Sequence, residues 1–440
     1  MEPEVEKIKE EAVEVKHKFG RFLRILGPGL ITGAADDDPS GIATYAQTGA
    51  QFGYGQLWTA LFMLPFQTAI QEACARIGAV TGKGLVAVTK EYYSKKIVYA
   101  VVLLVLFANT INLGADIGAM AAAANLVLPI NFVFLALSFT AIILILEIFT
   151  SYKVYAKILK WLAVALLAYP ITVFMVHQPW TTILRATFIP HFELSFGFLF
   201  IITGVLGTTI SPYMFFWQTS EEVEEEKAKG EARIQNNPSL MKRFIKDIRI
   251  DTITGMIFSE IATWSIIVVA ATVLNAHGIT DIKTSADAAK ALEPLVSTFP
   301  NAGFLAKLIF STGIIGLGLL AVPVLSGSAS YAVSEALSWK EGLNLKLKKA
   351  HGFYGVITIA TLIGLLINFI GIDPVKALVF TAVFNGVVAV PLVFLIAKIA
   401  ASEKIMGEHK SGKLSKVLVW MTFIGMGAAA VAMFITLIPH

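Results

Sequence analysis

Asp36, Asp37 and Asp38 stand in a row, followed by Pro39-Ser40-Gly41, inside a stretch from 25 to 53 that otherwise reads as a membrane-spanning helix. On an insertion scale each mid-bilayer Asp costs roughly 2.5 to 3.5 kcal/mol, so three cost about 8 to 10, cancelling most of what about 20 apolar residues return. Carboxylates placed at that cost point to chemistry, and the chemistry they suit is an oxygen-lined cation site. Pro39 removes a backbone donor and Gly41 relaxes the chain, so the helix is expected to break beside the acids. The carbonyls and N–H groups freed by such a break are tolerated at membrane depth only around a water-filled cavity or an ion site.

The elements that position this site must be helices in a bilayer. Mean hydropathy is +0.72. Hydrophobic residues make up 56% of the 440 and charged residues only 15%, against about 25% in soluble domains. The chain is therefore expected to be an all-α polytopic membrane protein with no separate soluble domain. Cys74 is the sole cysteine, which excludes intrachain disulfides and thiolate metal sites and reads as packing. Residues 1–24 alternate acidic and basic side chains without an uninterrupted apolar core, so they read as a cytoplasmic amphipathic helix rather than a signal peptide.

Apolar runs able to span about 30 Å of hydrocarbon lie near 25–53, 57–80, 97–126, 131–150, 154–177, 195–219, 250–274, 303–336, 353–372, 375–400 and 416–438, eleven in all. Alternate connections are basic: the N-terminal segment, the loops around Lys83 to Lys96, Lys153 and Lys157, Lys227 to Arg249, Lys340 to Lys349, and Lys404 to Lys416. The opposite set holds little beyond Arg185, Lys283, Lys290 and Lys376. The positive-inside rule then places the N-terminus in the cytoplasm and the tail Ile438-Pro439-His440 outside. Glu221 to Ile250, rich in both charges, reads as a solvated loop, and Thr284 to Leu295 as a short amphipathic helix capped by Ser285 or Asp287.

A second interruption lies in the sixth span, where Gly207-Thr208-Thr209-Ile210-Ser211-Pro212-Tyr213 puts small polar residues and a proline mid-membrane. If 25–177 and 195–400 are two five-helix repeats, the breaks fall at corresponding places and 416–438 is an added eleventh helix. Matching broken helices in two halves mark a midplane substrate site in inverted-repeat transporters.

GPGLITGAADDDPSG in the first span and GTTISPYMFFWQ in the sixth, together with eleven spans, resemble the Nramp divalent-metal transporters over nearly the whole chain. Typical members carry Asp-Pro-Gly-Asn and Met-Pro-His in the two breaks. Asp38 and Pro39 match the first motif, but Gly41 stands where the metal-binding Asn lies, Ser211 at the Met, and Tyr213 at the His. With these replacements the chain looks most like the Nramp-related magnesium transporter branch. The resemblance implies an amino-acid-transporter-like fold of two inverted repeats with helices one and six broken. It also implies backbone ligands at Ala35 and Thr208.

A thioether favours softer transition metals, whereas Mg²⁺ is hard, takes oxygen ligands and dehydrates reluctantly. Ser211 and Gly41 remove sulfur and bulk together, leaving an expected wider, oxygen-lined cavity for a partly hydrated ion held by Asp38, Asp37, the Ser211 hydroxyl and the Ala35 and Thr208 carbonyls. Gly41, Tyr213, Asp116, Asn112, Glu260 and Asn385 are expected to line the cavity, with Asp36 or Asp37 turned toward a vestibule, because three adjacent residues cannot all face one ion.

Several of these carry a second reading. Asn109, Asn112 and Asp116 form one polar helical face that serves helix packing as readily as a cavity. Glu260 either faces a cavity or pairs internally. Glu72 and Arg76 read as an ion pair, Glu147 as an interfacial acid, and Ser326 to Ser330 as close helix packing.

Typical relatives couple a proton through acids on span three, the span-six His and arginines on span nine. Here Ala119 replaces the second acid after Asp116, and residues 353–372 contain no Lys, Arg or His. Uncoupled Mg²⁺ uptake by alternating access is therefore expected. A potential of about 100 mV supplies about 4.6 kcal/mol to a divalent ion. A proton-coupled Mn²⁺/Fe²⁺ symporter is the alternative, and a sodium-coupled amino-acid transporter a weaker one, since three aspartates disfavour a carboxylate substrate. An intramembrane aspartyl enzyme is disfavoured because a catalytic dyad needs facing carboxylates. The expected partners are the divalent ion, Mg²⁺ or Mn²⁺ as substrate rather than cofactor, and the lipid bilayer of the plasma (inner) membrane, with no nucleic acid and the chain acting as a monomer.

Overall fold

A residue that precedes proline is pushed out of the α region, and two such steps divide the first and sixth expected spans. In the computed structural model, which describes residues 25–150, 166–229 and 237–437, the ordered structure is helical with no strand among those residues. Helix α1 (Pro28–Asp36) stops at Asp37, Asp38 is extended at φ −61°, ψ 172°, and α2 (Pro39–Phe52) starts with Pro39 in its first turn. The chain continues through α3 (Trp58–Thr81), α4 (Leu85–Tyr92), α5 (Lys95–Asn125), α6 (Phe132–Phe149), α7 (Ala168–Met175) and α8 (Trp180–Phe188) to α9 (Phe196–Thr209). Ile210 and Ser211 form the second break before α10 (Pro212–Lys229). After it come α11 (Pro238–Val273), α12 (Ser285–Ala289), α13 (Ala302–Leu337), α14 (His351–Ile367), α15 (Pro374–Ala401), α16 (Glu403–Met406) and α17 (Lys413–Ile435).

Seven stretches among the described residues are long and apolar enough to cross a membrane: Lys95–Asn125, Phe132–Phe149, Phe196–Ala228, Pro238–His277, Ala302–Leu337, Pro374–Ala401 and Lys413–Ile435. Length and composition alone do not return eleven. The first span is cut into two short helices, α14 is short, and α3 carries Gln67, Gln71, Glu72 and Arg76. The start of the fifth span, the segment 1–24 and the tail 438–440 lie outside the described residues.

Small residues let backbones meet at two seams. A Cβ on Gly33 would lie 2.3 Å from the Gly255 carbonyl oxygen, and one on Gly255 2.2 Å from that of Gly29, so α1 lies directly on α11. Gly207 of α9 meets α15 the same way, 2.1 Å from the Ala382 oxygen. Asp251 of α11 then caps α1, accepting from the backbone N–H of Gly27 (2.9 Å), Gly29 (2.7 Å) and Leu30 (3.1 Å). A carboxylate there satisfies donors that a helix start leaves free and meets the positive end of its dipole.

At the end of the bundle that carries the basic loops, polar side chains tie the helices together. Gln218 of α10 accepts from Thr32 (2.5 Å) and donates to Glu222 (2.8 Å), while Tyr331 of α13 donates to Glu224, which also takes the Leu343 N–H at 2.8 Å. Glu221, Glu222 and Glu226 are thus buried rather than solvated as expected, because α10 runs on past the break, with Glu221 against Tyr331 of α13 and Glu222 against Gln218. Glu72 pairs with Arg76 at 2.8 Å and with Arg249 at 3.1 Å. Glu147 is buried and accepts from Ser326 at 2.5 Å, so it is no interfacial acid. At the other end, Thr284 rather than Ser285 or Asp287 caps α12, in a reciprocal capping box with Asp287.

Removing the Asp251 carboxylate strands three donors. Asp251→Ala is expected to destabilise the protein by about 2 to 4 kcal/mol, with faster hydrogen exchange at 27–36 than elsewhere; unchanged exchange there would refute the capping role. Burial, then the neighbouring Glu335 and Glu224 charges, push Glu341 in the loop after α13 from the ordinary 4.5 up to about 9. The folded chain therefore holds a proton that the unfolded chain releases, and this group's contribution to stability falls as pH rises between those values. Melting curves from pH 5 to 10 should show wild type losing stability relative to Glu341→Gln across that window; a constant difference would refute it.

Candidate functional site

The two breaks face one another. Tyr45 of α2 meets Thr209 at 3.0 Å, hydroxyl to hydroxyl, Ser40 lies 3.4 Å from the Thr208 hydroxyl, and Tyr213 of α10 donates to the Ala35 carbonyl at 2.8 Å. Asp38 sits between them, 1% exposed. Its Oδ1 accepts from the Ser40 hydroxyl (2.6 Å) and the Gly41 N–H (2.8 Å), so it caps α2. Its Oδ2 faces Asn112 Nδ2 at 3.1 Å and the Tyr213 hydroxyl at 3.4 Å. Every one of these partners is a nitrogen or an oxygen.

Asn112 and Asp116 lie one turn apart on α5. The oxygen of Asn112 and both oxygens of Asp116 are buried without a hydrogen-bond donor. Unpartnered buried oxygens are costly and call for an electropositive partner or a proton. Among the described residues no three His, Cys, Asp or Glu side chains converge as a metal cage. Around Asp38 the groups in contact are neutral hydroxyl, amide and backbone N–H groups. A cavity of about 880 Å³ lies at the end away from the basic loops, lined by Gln47, Gln51, Ala115, Gly197, Ile282 and Thr381 among others. Asp38 and Asp116 do not line it, and both are sealed from solvent.

Several expected roles change. The Ser211 hydroxyl donates to the carbonyls of its own helix, Gly207 at 2.6 Å and Thr208 at 2.8 Å, so Thr208 is a ligand already engaged. The Ala35 carbonyl is held by Tyr213. Gly41 does not widen the site: a Cβ there would lie 3.1 Å from the Asp36 carbonyl oxygen, 3.2 Å from the Thr208 hydroxyl and 3.3 Å from the Tyr45 ring, so the space the small residue vacates is already taken. Neither Asp36 nor Asp37 reaches a vestibule. Both are fully buried against α11, Asp36 on Ser259 at 2.5 Å and Asp37 on Thr263 at 3.4 Å. Glu260 pairs with Gln67 at 3.0 Å, and Asn385 is buried on α15 with its amide nitrogen unpartnered. Asn109 bonds Leu325 and Ser328 of α13, which is packing.

Tyr45, Ser40, Gln67, Ser259 and Thr263 were not foreseen as partners of the acids. The signal available was the recurrence of Ser259, Glu260 and Thr263 on one helical face, and of Gln67 and Gln71 one turn apart in the second span.

The Nramp profile, described as natural resistance-associated macrophage protein-like, matches residues 29–436. A protein named divalent metal cation transporter MntH from Caldanaerobacter subterraneus subsp. tengcongensis is 26% identical over 409 residues, 90% of this chain and 89% of that protein. One of the same name from Bacillus subtilis is 25% identical over 409 residues, 92% and 90% of the two chains. The solved Eremococcus coleocola manganese transporter superposes with a TM-score of 0.75 at 14% identity, over 95% of this chain and 87% of that one. MhsT in complex with L-phenylalanine gives 0.58 at 12% identity, over 93% and 98%. At these identities the two structures establish the shared fold alone.

Tyr213→Phe removes the hydroxyl that competes with a cation for the Ala35 carbonyl. Its divalent-cation affinity, measured by calorimetry, is expected to rise about threefold, roughly the 0.7 kcal/mol of one weak hydrogen bond; a fall would make the hydroxyl itself a ligand.

Proposed function

This chain belongs to the Nramp family, and on that premise we propose that it carries divalent metal cations across the membrane in which its apolar helices are embedded. The observation that carries this reading is Asp38, a sealed carboxylate at the junction of two broken helices, held by neutral groups including the Asn112 amide, one turn from the unpartnered carboxylate of Asp116. No catalytic arrangement is needed, and the relatives are named as transporters. Within the reading, 25–177 and 195–400 act as two inverted repeats and 416–438 as an added helix, with the basic loops facing the cytoplasm of a plasma-membrane protein.

The finer proposal is Mg²⁺, moved without a proton, as in the magnesium branch. It is supported by the nitrogen and oxygen partners of Asp38, by Ser211 in place of a thioether, and by the absence of basic residues from 353–372. Mn²⁺ is the second reading, because oxygen ligands also suit it and a protein of the same fold is a manganese transporter.

Uptake of Mg²⁺, Ca²⁺ and Mn²⁺ into vesicles, with internal pH recorded, tests both levels. We expect Mg²⁺ entry without acidification and loss of at least about tenfold in Asp38→Ala, a ligand removed at roughly 1.4 kcal/mol or more. Mn²⁺ entry with acidification and no Mg²⁺ entry would select the second reading. Full activity of Asp38→Ala would overturn the site.

A further inference from the structure

Helices α3, α11 and α17 border a cavity of about 640 Å³ that cation transport does not use. Its three walls share one pattern. Arg76 lies toward the end of α3, Arg249 in the first part of α11 and Lys413 at the start of α17, so three cations gather at the end of the bundle that carries the basic loops. Leu64 and Pro65 of α3, Ile253 and Ile257 of α11 and Leu418 of α17 line the remainder. Arg249, Ile253 and Ile257 recur at intervals of four, so one helical face carries a cation followed by about 12 Å of apolar trough. Ile253 and Ile257 are 37% and 41% exposed, so the trough opens on the lipid-facing surface of the bundle.

The charged end is short of an anion. Glu72 is the sole carboxylate lining the cavity, and both its oxygens are taken, Oε2 by Arg76 at 2.8 Å and Oε1 by Arg249 at 3.1 Å. One acid against three cations leaves an excess of two positive charges. Arg76 is 4% exposed, and its Nε is buried with no acceptor. The same guanidinium donates to the Ser411 and Ser415 hydroxyls at 3.1 and 3.4 Å, which places it at the start of α17. That helix has no side-chain cap, and its first intrahelical bond comes from the Lys416 N–H, so the N–H groups before it are unclaimed. Lys413 makes no ion pair among the described residues. An uncapped helix start, a buried guanidinium lacking an acceptor and an unpaired ammonium together suit a phosphate.

We propose that this cavity seats an anionic glycerophospholipid from the leaflet on the basic-loop side. Its phosphate lies among Arg76, Arg249, Lys413 and the start of α17, and an acyl chain follows Ile253, Ile257 and Leu418. A choline or ethanolamine headgroup fits less well, because its ammonium would meet guanidinium groups and a carboxylate already engaged twice. A soluble phosphate would use the charged end and leave the trough bare. The lipid ties α17 to α3 and α11, and the inference stands whichever cation the chain carries.

The test is native mass spectrometry of the purified full chain released from micelles containing phosphatidylglycerol and phosphatidylcholine in equal amounts. Wild type should retain one phosphatidylglycerol in preference to phosphatidylcholine. Lys413→Gln, at an exposed position without an ion pair, should weaken that retention about fivefold, the scale of one basic contact at a membrane surface. Arg249→Gln should weaken it at least as much. Lys348→Gln removes the same charge from the loop between α13 and α14 and should change nothing, which separates a seated lipid from general attraction to basic loops. Ile257→Trp, which fills the trough and keeps the charges, should also lose the lipid. Equal retention of the two lipids in wild type overturns the proposal, as does unchanged retention in Lys413→Gln and Arg249→Gln alike, or a loss in Lys348→Gln that matches theirs. Displacement of the lipid by millimolar inorganic phosphate overturns it too, in favour of a soluble-anion site.

Discussion

The structure depends on carboxylates buried in an apolar bundle with no ion-pair partner among the described residues. Asp36, Asp37, Asp38, Asp116 and Glu260 are all sealed from solvent, and the nearest help is neutral: hydroxyls of Ser40, Ser259 and Thr263, amides of Asn112 and Gln67, and one backbone N–H. Dipoles can soften a buried negative charge, whereas a fixed cation would cancel it and leave nothing for a mobile ion to do. The helix break follows from the same requirement. Only an opened backbone brings a cap donor and loose carbonyls to membrane depth.

The breaks were legible because they are written in residues with few other uses. Asp-Pro and Ser-Pro inside apolar runs cannot continue a helix comfortably, and the structure interrupts α1/α2 and α9/α10 there. Asp38 was legible as the central acid for the same reason. What the sequence could not supply was direction. A serine near a break reads as a free hydroxyl, yet in dry surroundings Ser211 satisfies itself on its own helix. Gly41 reads as space, yet space in a packed interior is taken by whichever side chain is near, here Tyr45. Glu147 sits toward the end of an apolar run and reads as interfacial until Ser326, distant in sequence, appears beside it.

The three consecutive aspartates show how one sequence feature can serve two surfaces. An extended residue between two helices reverses the face that its neighbours present, so Asp38 turns to α5 and α10 while Asp36 and Asp37 turn to α11. The triplet is therefore a divider between two polar compartments, each with its own amide: Asn112 on one side and Gln67 on the other.

The seam between α1 and α11 has a mechanical meaning. It is backbone against backbone at Gly29, Gly33 and Gly255. A joint made of side chains can creep, since rotamers readjust one at a time; a joint made of main chain has no such slack. Sliding α1 along α11 by a fraction of a turn would drive Thr32 or Ala34 into the carbonyl ridge and break the three bonds to Asp251, so the contact resists shear. The half-helix beside the acids is thereby fixed in register: it can move only together with α11 or by giving up the whole seam at once.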